Sequence, residues 1–250
     1  MLTKIIKKII GIFGYKIISK NYVKNGRLVS KHSYLNLETL LANLFLKNKI
    51  KFLVQIGAND GIIFDSLNKF IKKFKPNSLL VEPIKENFDQ LKKNYEDCDC
   101  IKFENSAISV NDEISFLYRV KTSKISFYDT HILGITSFNK NHLIQHGVKN
   151  SHIVKENVQS ISIKELLTKY LITDIDLFFI DAEGYDCKIV YDFFNNYLLR
   201  PIVIFEYIHS DHNCLVKLTN KLSDINYIYF SINENLICFP FEKKQLLDFG

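Results

Sequence analysis

The stretch Val54-Gln55-Ile56-Gly57-Ala58-Asn59-Asp60-Gly61 joins the end of an apolar run to a turn that contains two glycines. The run, Phe52 to Ile56, is short and apolar, which predicts a buried strand rather than a helix. After the turn, apolar residues recur at helical spacing from Ile62 to Phe74, and Asn59 and Asp60 are residue types that cap helix N-termini. Strand, glycine turn and helix in this order form the usual pocket for an adenosine-bearing cofactor. Glycine lets the ligand approach the backbone, and the helix N-terminus offers unpaired N–H groups.

A second predicted strand, Ser78 to Val81, ends at Glu82. In nucleotide-binding units, an acid about 20 residues after the glycine turn accepts hydrogen bonds from the ribose hydroxyls, and Glu82 lies at that position. Alternatively, the glycines only serve a turn and Glu82 only caps a helix that begins near Lys85. The spacing of the two features favours the cofactor site. Its predicted members are Gly57, Ala58, Asn59, Asp60, Gly61 and Glu82, with Ser106 and Ala107 near the adenine base at the tip of the third strand.

The glycine spacing also indicates the class of cofactor. A dinucleotide site requires G-x-G-x-x-G, and the turn from Gly57 to Gly61 lacks the middle glycine that admits a pyrophosphate. Two glycines four residues apart suit a ligand without phosphates, such as S-adenosylmethionine.

Three further stretches carry a family resemblance: Val81-Glu82-Pro83, Ile180-Asp181-Ala182-Glu183-Gly184-Tyr185-Asp186 and Ile204-Phe205-Glu206. Together with the glycine turn they resemble the FkbM family of S-adenosylmethionine-dependent methyltransferases, and the resemblance covers most of the chain. Its specific element is the Asp-x-Glu-Gly-Tyr motif downstream of the turn. Many family members have an acid where this chain has Gln55, and the resemblance implies that Gln55 belongs to the cofactor site.

Helical and strand patterns alternate along the chain and end in two apolar stretches around Asn233-Glu234-Asn235, which indicates a hairpin. This order predicts an α/β protein with a three-layer Rossmann-like methyltransferase fold, a mostly parallel seven-stranded sheet with a C-terminal antiparallel hairpin. Residues 1–33 are predicted to form a basic amphipathic helix and a connector, and residues 34–250 a methyltransferase domain. Residues 121–160 lack strong periodicity and are predicted to be an insertion on the substrate side of the site.

The candidate catalytic residues follow directly after predicted buried strands. Ligands of open α/β sheets bind beyond the carboxyl ends of the strands, so these residues should converge there: Asp181, Glu183, Glu206 and His209. Asp181 is expected to contact the cofactor or the acceptor, and the other three are candidates for the general base. Alternatively, Asp181 and Glu183 cap the helix that begins near Asp186, and Glu206 pairs with a lysine.

Composition and charge exclude some classes of function. The 250 residues are 47% hydrophobic and carry a formal net charge of +6. The basic residues are nearly all lysine and form no arginine cluster of the kind that reads nucleic acid, so no nucleic-acid partner is predicted. The five cysteines are odd in number and form no C-x-x-C pair, which indicates free thiols in a reduced, cytoplasmic protein.

The N-terminal residues 1–13 place apolar side chains on one helical face and lysines on the other. The apolar run is too short to span a bilayer, and it lacks the uninterrupted core and cleavage site of a secretory signal. Two alternatives stay open. The helix lies on an anionic membrane surface, at its inner face, or it packs on the domain or on a second copy in a homodimer.

The insertion contains His142 and His146, four residues apart on a predicted short helix and therefore on one face. No glutamate accompanies them as in H-E-x-x-H, so we predict no metal site. These histidines are expected to face solvent or substrate.

The resemblance implies an S-adenosylmethionine-dependent O-methyltransferase that acts on a hydroxyl of a sugar, a glycan or another small metabolite. Such an enzyme must hold the acceptor oxygen in line with the methyl carbon and remove the hydroxyl proton. Two alternatives are a non-catalytic binding or assembly module that retains the fold, and a hydrolase whose carboxylates hold a divalent cation. The intact Gly57, Gly61, Glu82 and Asp181/Glu183 pair favour the methyltransferase.

Overall fold

A computed structural model describes residues 23–24, 27–28, 36–47, 49–110, 116–129, 132 and 134–247. The amphipathic helix predicted for residues 1–13 lies outside these ranges. In the predicted connector, two short strands, β1 (Val23–Lys24) and β2 (Arg27–Leu28), form an antiparallel pair. Within the described ranges, no helix is both long enough and apolar enough to cross a membrane.

The remaining strands are β3 (Phe52–Ile56), β4 (Asn77–Val81), β5 (Ile101–Glu104), β6 (Ala107–Ser109), β7 (Phe116–Val120), β8 (Ile153–Asn157), β9 (Ser160–Ser162), β10 (Leu177–Ile180), β11 (Ile202–Glu206), β12 (Tyr227–Ile232) and β13 (Asn235–Pro240). The helices are α1 (Leu37–Leu46), α2 (Asn68–Phe74), α3 (Lys85–Asn94), α4 (Lys140–Gln145), α5 (Ile163–Lys169), α6 (Asp186–Asn196) and α7 (His212–Asp224). Short 3₁₀ segments cover Thr122–Phe127, Asn150–His152 and Phe241–Leu247.

The main sheet has seven strands in the order β12-β13-β11-β10-β3-β4-β5. The pairs from β11 to β5 are parallel, and β13 is antiparallel to both of its neighbours. Ile56 at the end of β3 is level with Val81 in β4 and with Ile180 in β10, so the strands end at one edge. The strand order reverses between β3 and β10, and such a reversal opens a crevice at the carboxyl edge. The predicted fold, including the C-terminal hairpin, is confirmed.

Alternating side chains of the sheet build two apolar layers. On one face, Val54 and Ile56 belong to a core that includes buried residues of α5, α6 and α7. On the other face, Leu53 and Leu80 belong to a core that includes buried residues of α1, α2 and α3. Both faces of the central strands are therefore covered, which explains why their sequences are continuous apolar runs.

The helix predicted from Ile62 to Phe74 begins only at Asn68, so its predicted start is wrong. The Asp60 carboxylate accepts hydrogen bonds from the backbone N–H groups of Ile62 and Ile63, at 2.9 and 2.8 Å. This local side-chain bonding holds a turn and competes with a helix. The segment that follows the glycine turn is therefore an exposed loop.

Residues 121–160 are framed by the antiparallel pair β7 and β8, with α4 between them. Together with Val120 of β7 they build a small separate core, composed of Ile132, Ile135, Leu143, Val148 and Ile153. An isolated bridge between Tyr118 and Ser137 ties the intervening segment back to β7.

The expectation of free thiols is wrong for two of the cysteines. Cys187 in α6 and Cys214 near the start of α7 form a disulfide, although 27 positions separate them in the sequence. The two helices pack side by side, and this tertiary contact brings the residues together. Cys98, Cys100 and Cys238 are free.

Candidate active site

The glycine turn after β3 is pressed against the residue that follows β10. Gly57 has a φ of +77°, and a Cβ atom placed there would lie 1.8 Å from the carbonyl oxygen of Asp181. The backbone N–H groups of Gly57 and Ala58 both donate to the carbonyl of Val81, at 3.0 Å. Glycine is needed here for its backbone conformation and for the close approach of the two strand ends.

Glu82 lies at the tip of β4 and is 4% exposed. Its two carboxylate oxygens accept hydrogen bonds from the backbone N–H groups of Asn59 and Ile84, each at 2.9 Å. Burial raises the pKa of Glu82 to about 7, against the lowering effect of these hydrogen bonds. The Asn87 side chain is a further donor to this carboxylate, which can accept about four hydrogen bonds and so retains capacity for a ribose hydroxyl.

Two residues predicted to bind the cofactor do not reach the cavity wall. Asp60 holds the turn that follows it through Ile62 and Ile63. Gly61 allows close packing, because an added Cβ atom would lie 2.5 Å from the ring of Tyr95 and 2.6 Å from Leu91. The structure therefore gives both residues a role in shaping the turn.

Gln55, the penultimate residue of β3, is 3% exposed and lies on the cavity wall. Its side-chain nitrogen donates to the Asp65 carboxylate at 3.1 Å. Its side-chain oxygen is buried and has no hydrogen-bond partner among the described residues. An unpaired buried acceptor is costly, so this atom fits a donor group of a ligand.

A cavity of about 530 Å³ opens at the carboxyl edge of the sheet. Its wall contains most of the predicted site residues: Gln55, Gly57, Ala58, Asn59, Glu82, Asp181, Glu183, Glu206 and His209. The predicted insertion contributes Gly134, Ile135, Thr136 and His146 to the same wall. The cavity thus joins the turn after β3 with the strand tips of β10 and β11.

Ser106 and Ala107 line a smaller adjoining cavity of about 40 Å³. Apolar side chains, among them Ile108, Leu117 and Phe138, form much of its wall. The Ser106 hydroxyl donates to the Glu104 carboxylate at 2.6 Å, so its own hydrogen is already used. These surroundings suit the apolar faces of a flat ring, and the cavity must widen to admit a ring as large as a purine base.

Asp186, to which the sequence assigned no role, organises the loop after β10. It is fully buried, and its carboxylate accepts hydrogen bonds from the N–H groups of Ala182 and Gly184, at 2.9 and 3.0 Å. Both N–H groups precede α6, and no side chain among the described residues caps the start of that helix, so the capping role suggested as an alternative for Asp181 and Glu183 is not observed. A carboxylate two to four residues after a strand-end motif is a signal for such a contact within the loop.

Besides Glu82 and Asp65, three further acids of the cavity wall have raised pKa values. Although Asp181 is open to the cavity, the protein surrounds it elsewhere, and this desolvation, with Asp65 and Glu234, raises its pKa to about 6. Desolvation and then Asp181 raise the pKa of Glu183 to about 8. Desolvation, followed by its acidic neighbours, raises the pKa of Glu206 to about 8. A cationic ligand would offset this concentration of negative charge.

Three histidines, His142, His146 and His209, form what we call the histidine cluster. Their ring centroids lie 4.6 to 5.0 Å apart. The Nε2 atom of His142 lies 3.4 Å from a carboxylate oxygen of Glu183, and desolvation lowers the pKa of the His142 ring. The sequence places His142 and His146 on one helical face, but nothing in it connects them to His209 after β11.

Several solved structures resemble the chain. The methyltransferase domain of METTL16 has 14% sequence identity and a TM-score of 0.44, and the match covers 93% of this chain and 76% of that chain. A methyltransferase from Geobacter sulfurreducens has 14% identity, a TM-score of 0.40 and coverages of 82% and 77%. The ribosomal protein L11 methylase from Lactobacillus delbrueckii subsp. bulgaricus has 13% identity, a TM-score of 0.37 and coverages of 80% and 77%. None of the curated proteins matches the chain in sequence.

The family described as "Methyltransferase FkbM domain" matches residues 55–229. The matched region begins at Gln55 in β3 and contains the glycine turn, Glu82 and the acids that follow β10 and β11. It covers well over half of the 250 residues. The chain therefore belongs to the FkbM family of methyltransferases.

Proposed function

We propose that the protein is an S-adenosylmethionine-dependent O-methyltransferase that acts on a hydroxyl group of a sugar, a glycan or another small metabolite. The observation that carries the proposal is the unpaired oxygen of Gln55 on a cavity wall that also contains Glu82. An adenosine ligand with an amino-acid tail offers ribose hydroxyls for Glu82 and an ammonium donor for Gln55.

Different residues of the cavity wall would contact different parts of such a ligand. Gln55 accepts a hydrogen bond from the amino group, Glu82 accepts from the ribose, and the apolar cavity beside Ser106 and Ala107 receives the adenine. Asp181 supplies negative charge near the sulfonium centre. Bound S-adenosylmethionine supplies a methyl group on a positively charged sulfur, which the acidic wall attracts.

Glu206 is the best candidate for the general base. It lies on the cavity wall at the end of β11, and the described residues provide no hydrogen bond or ion pair for its carboxylate. This argues against the alternative in which it pairs with a lysine. Its pKa of about 8 is close to neutral pH, where a base transfers protons most effectively. As the acceptor oxygen is methylated, its proton passes to this carboxylate.

The proposal includes no nucleic-acid partner, because the basic residues form no arginine cluster. It includes a cytoplasmic location, although the Cys187–Cys214 disulfide removes part of the thiol argument for it, and contact to an anionic membrane surface through residues 1–13. The support for this contact is the pattern of lysines opposite apolar residues. A homodimer through the same residues is the competing expectation.

Calorimetry with S-adenosylmethionine and S-adenosylhomocysteine tests the cofactor. The wild type should bind at micromolar levels, and Glu82→Ala should weaken binding about tenfold or more, since lost hydrogen bonds to a charged group cost roughly 1.5–3 kcal/mol. Glu165→Ala is the matched control, because Glu165 caps α5 and does not line the wall of the 530 Å³ cavity that contains Glu82. It should lower stability and leave binding unchanged.

Two outcomes would redirect the proposal. A wild type that binds neither ligand contradicts it, and binding of NAD instead would indicate a dehydrogenase. A wild type that binds S-adenosylmethionine but methylates no hydroxyl in a panel of sugars and glycans would favour the non-catalytic module.

A further inference from the structure

The histidine cluster is assembled by the tertiary fold. His142 lies in α4, His146 directly follows it, and His209 comes from the loop after β11. One ring nitrogen of each histidine lies within 4.8 Å of the corresponding nitrogens of the other two. Three nitrogen donors from two separate elements therefore point to one volume.

That volume borders the cavity. His146 and His209 line the cavity wall, while His142 is 7% exposed and forms the buried side of the cluster. Glu183 contacts His142 at 3.4 Å, and Glu206 belongs to the same wall. A cation held by the cluster would thus face the acids of the candidate active site.

The donor set indicates the class of cation. Neutral imidazole nitrogens bind Zn²⁺ and other late first-row transition metals, whereas Mg²⁺ and Ca²⁺ prefer oxygen ligands. Three imidazoles with a fourth position open to water or substrate are typical of catalytic zinc. Metal–nitrogen bonds of about 2.0–2.1 Å place tetrahedral ligands roughly 3.4 Å apart, so the ring nitrogens must approach one another by up to about 1.4 Å. His209 is partly exposed, lies on a loop and borders the cavity.

We propose that His142, His146 and His209 bind one transition-metal ion of the Zn²⁺ type, with an open coordination position toward the cavity. The role of the ion rests on the proposed function. A hydroxyl oxygen of the acceptor would occupy the open position, and a metal-bound hydroxyl loses its proton more readily. The proton would pass to the Glu206 carboxylate on the same wall.

A simple packing role is the competing explanation, since the three rings also contact one another edge to face or at a tilt. Phenylalanine separates the two roles because it retains a ring of similar shape and has no nitrogen ligand. His146→Phe and His209→Phe should therefore keep the packing and lose the metal. The control is His212→Gln, because His212 is exposed at the start of α7 and lies outside the cluster.

The experiment uses untagged full-length protein that has been treated with a chelator and then freed of it. Titration with Co²⁺ is followed by its visible absorption, and Zn²⁺ or Mg²⁺ is then added as a competitor. The wild type and His212→Gln should bind one Co²⁺ per chain, displaced by Zn²⁺ and not by Mg²⁺. Each phenylalanine variant should bind at least about 100-fold more weakly, because even outer-shell partners of a metal are worth 10–100-fold. Circular dichroism verifies that each variant is folded.

Two results would overturn the metal site: a wild type that forms no one-to-one complex, or folded phenylalanine variants that bind Co²⁺ as the wild type does. The same samples are titrated with S-adenosylmethionine in the presence of chelator. Cofactor binding without a metal complex would refute the metal site alone. Absence of cofactor binding in every state would instead refute the proposed function.

Discussion

Gly57→Ala tests whether the glycine turn is required by the close contact between β3 and β10. Two separate costs arise at this position. Gly57 has a φ of +77°, a conformation that costs an L-residue roughly 1–2 kcal/mol. The new methyl group would also lie 1.8 Å from the carbonyl oxygen of Asp181, and this neighbour is backbone that cannot rotate away.

A second glycine, Gly147, allows the cost of the clash with Asp181 to be separated from the cost of the backbone conformation. Relieving the clash requires the ends of β3 and β10 to separate, which breaks the 3.0 Å hydrogen bond from Asp181 N–H to the carbonyl of Ile56. Forced overpacking costs roughly 1–3 kcal/mol, and an unpaired buried group costs a similar amount. Gly147 also has a positive φ, of +87°, but an added Cβ atom there meets no atom within 4 Å. We expect a loss of about 1–2 kcal/mol for Gly147→Ala and about 3–8 kcal/mol for Gly57→Ala.

Urea unfolding followed by circular dichroism measures both free energies, and calorimetry measures S-adenosylmethionine binding. Gly57→Ala should lose most of its stability and its cofactor binding, while Gly147→Ala should keep binding intact. If Gly57→Ala cannot be recovered as a folded protein while Gly147→Ala folds normally, the contact with Asp181 is supported in its strongest form. Equal free energies of unfolding for the two variants would refute the argument from the contact with Asp181.

Three further predictions concern the acids and the N-terminus. Burial raises the folded pKa of Glu82 from 4.5 to about 7, so the wild type loses stability as pH rises through that window. The free energy of unfolding of Glu82→Gln should therefore rise by up to about 3 kcal/mol relative to the wild type between pH 5 and pH 7.5. Urea titrations that give the same difference between the two proteins at both pH values would contradict this. Glu206→Gln should lower the methyl-transfer rate by about 10²–10⁴ with unchanged cofactor affinity, whereas Asp181→Asn should weaken binding of the cofactor; a near wild-type rate for Glu206→Gln would place the base elsewhere, at Glu183 first. Deleting residues 1–13 should leave cofactor affinity unchanged and reduce salt-sensitive sedimentation with anionic vesicles, and sedimentation unaffected by the deletion would exclude the membrane contact.

The sheet could be predicted from the sequence because its information is local. The strands β3, β4, β10 and β11 are short apolar runs buried on both faces, and a helical pattern separates most consecutive pairs. The C-terminal hairpin has a turn signal between its strands. The start of α2 could not be predicted in the same way, because apolar spacing from Ile62 onward is compatible with a helix. Two hydrogen bonds to Asp60 decide against it.

The part of the site that depends on one strand tip could also be predicted, and the part that depends on contacts across the sheet could not. Glu82 follows from its position directly after β4, and Gln55 in β3 is implied by the family resemblance. The histidine cluster requires α4 to lie against the loop after β11, and no pattern in the insertion specifies that placement. The disulfide between Cys187 and Cys214 could not be predicted for the same reason, because it depends on the packing of α6 against α7.

The charge of the cavity bears on how product would leave. The chain carries a net charge of +6, yet Glu82, Asp181, Glu183 and Glu206 all line one cavity. Methyl transfer converts a positively charged sulfonium into a neutral thioether, so under the proposed function the product loses the attraction that these acids exert on the substrate form. Gln55 and Glu82 accept hydrogen bonds from the amino group and the ribose, which the reaction leaves unchanged, and these bonds therefore hold both forms equally. The acids thus favour the charged cofactor over its product, and this difference promotes exchange after each turnover.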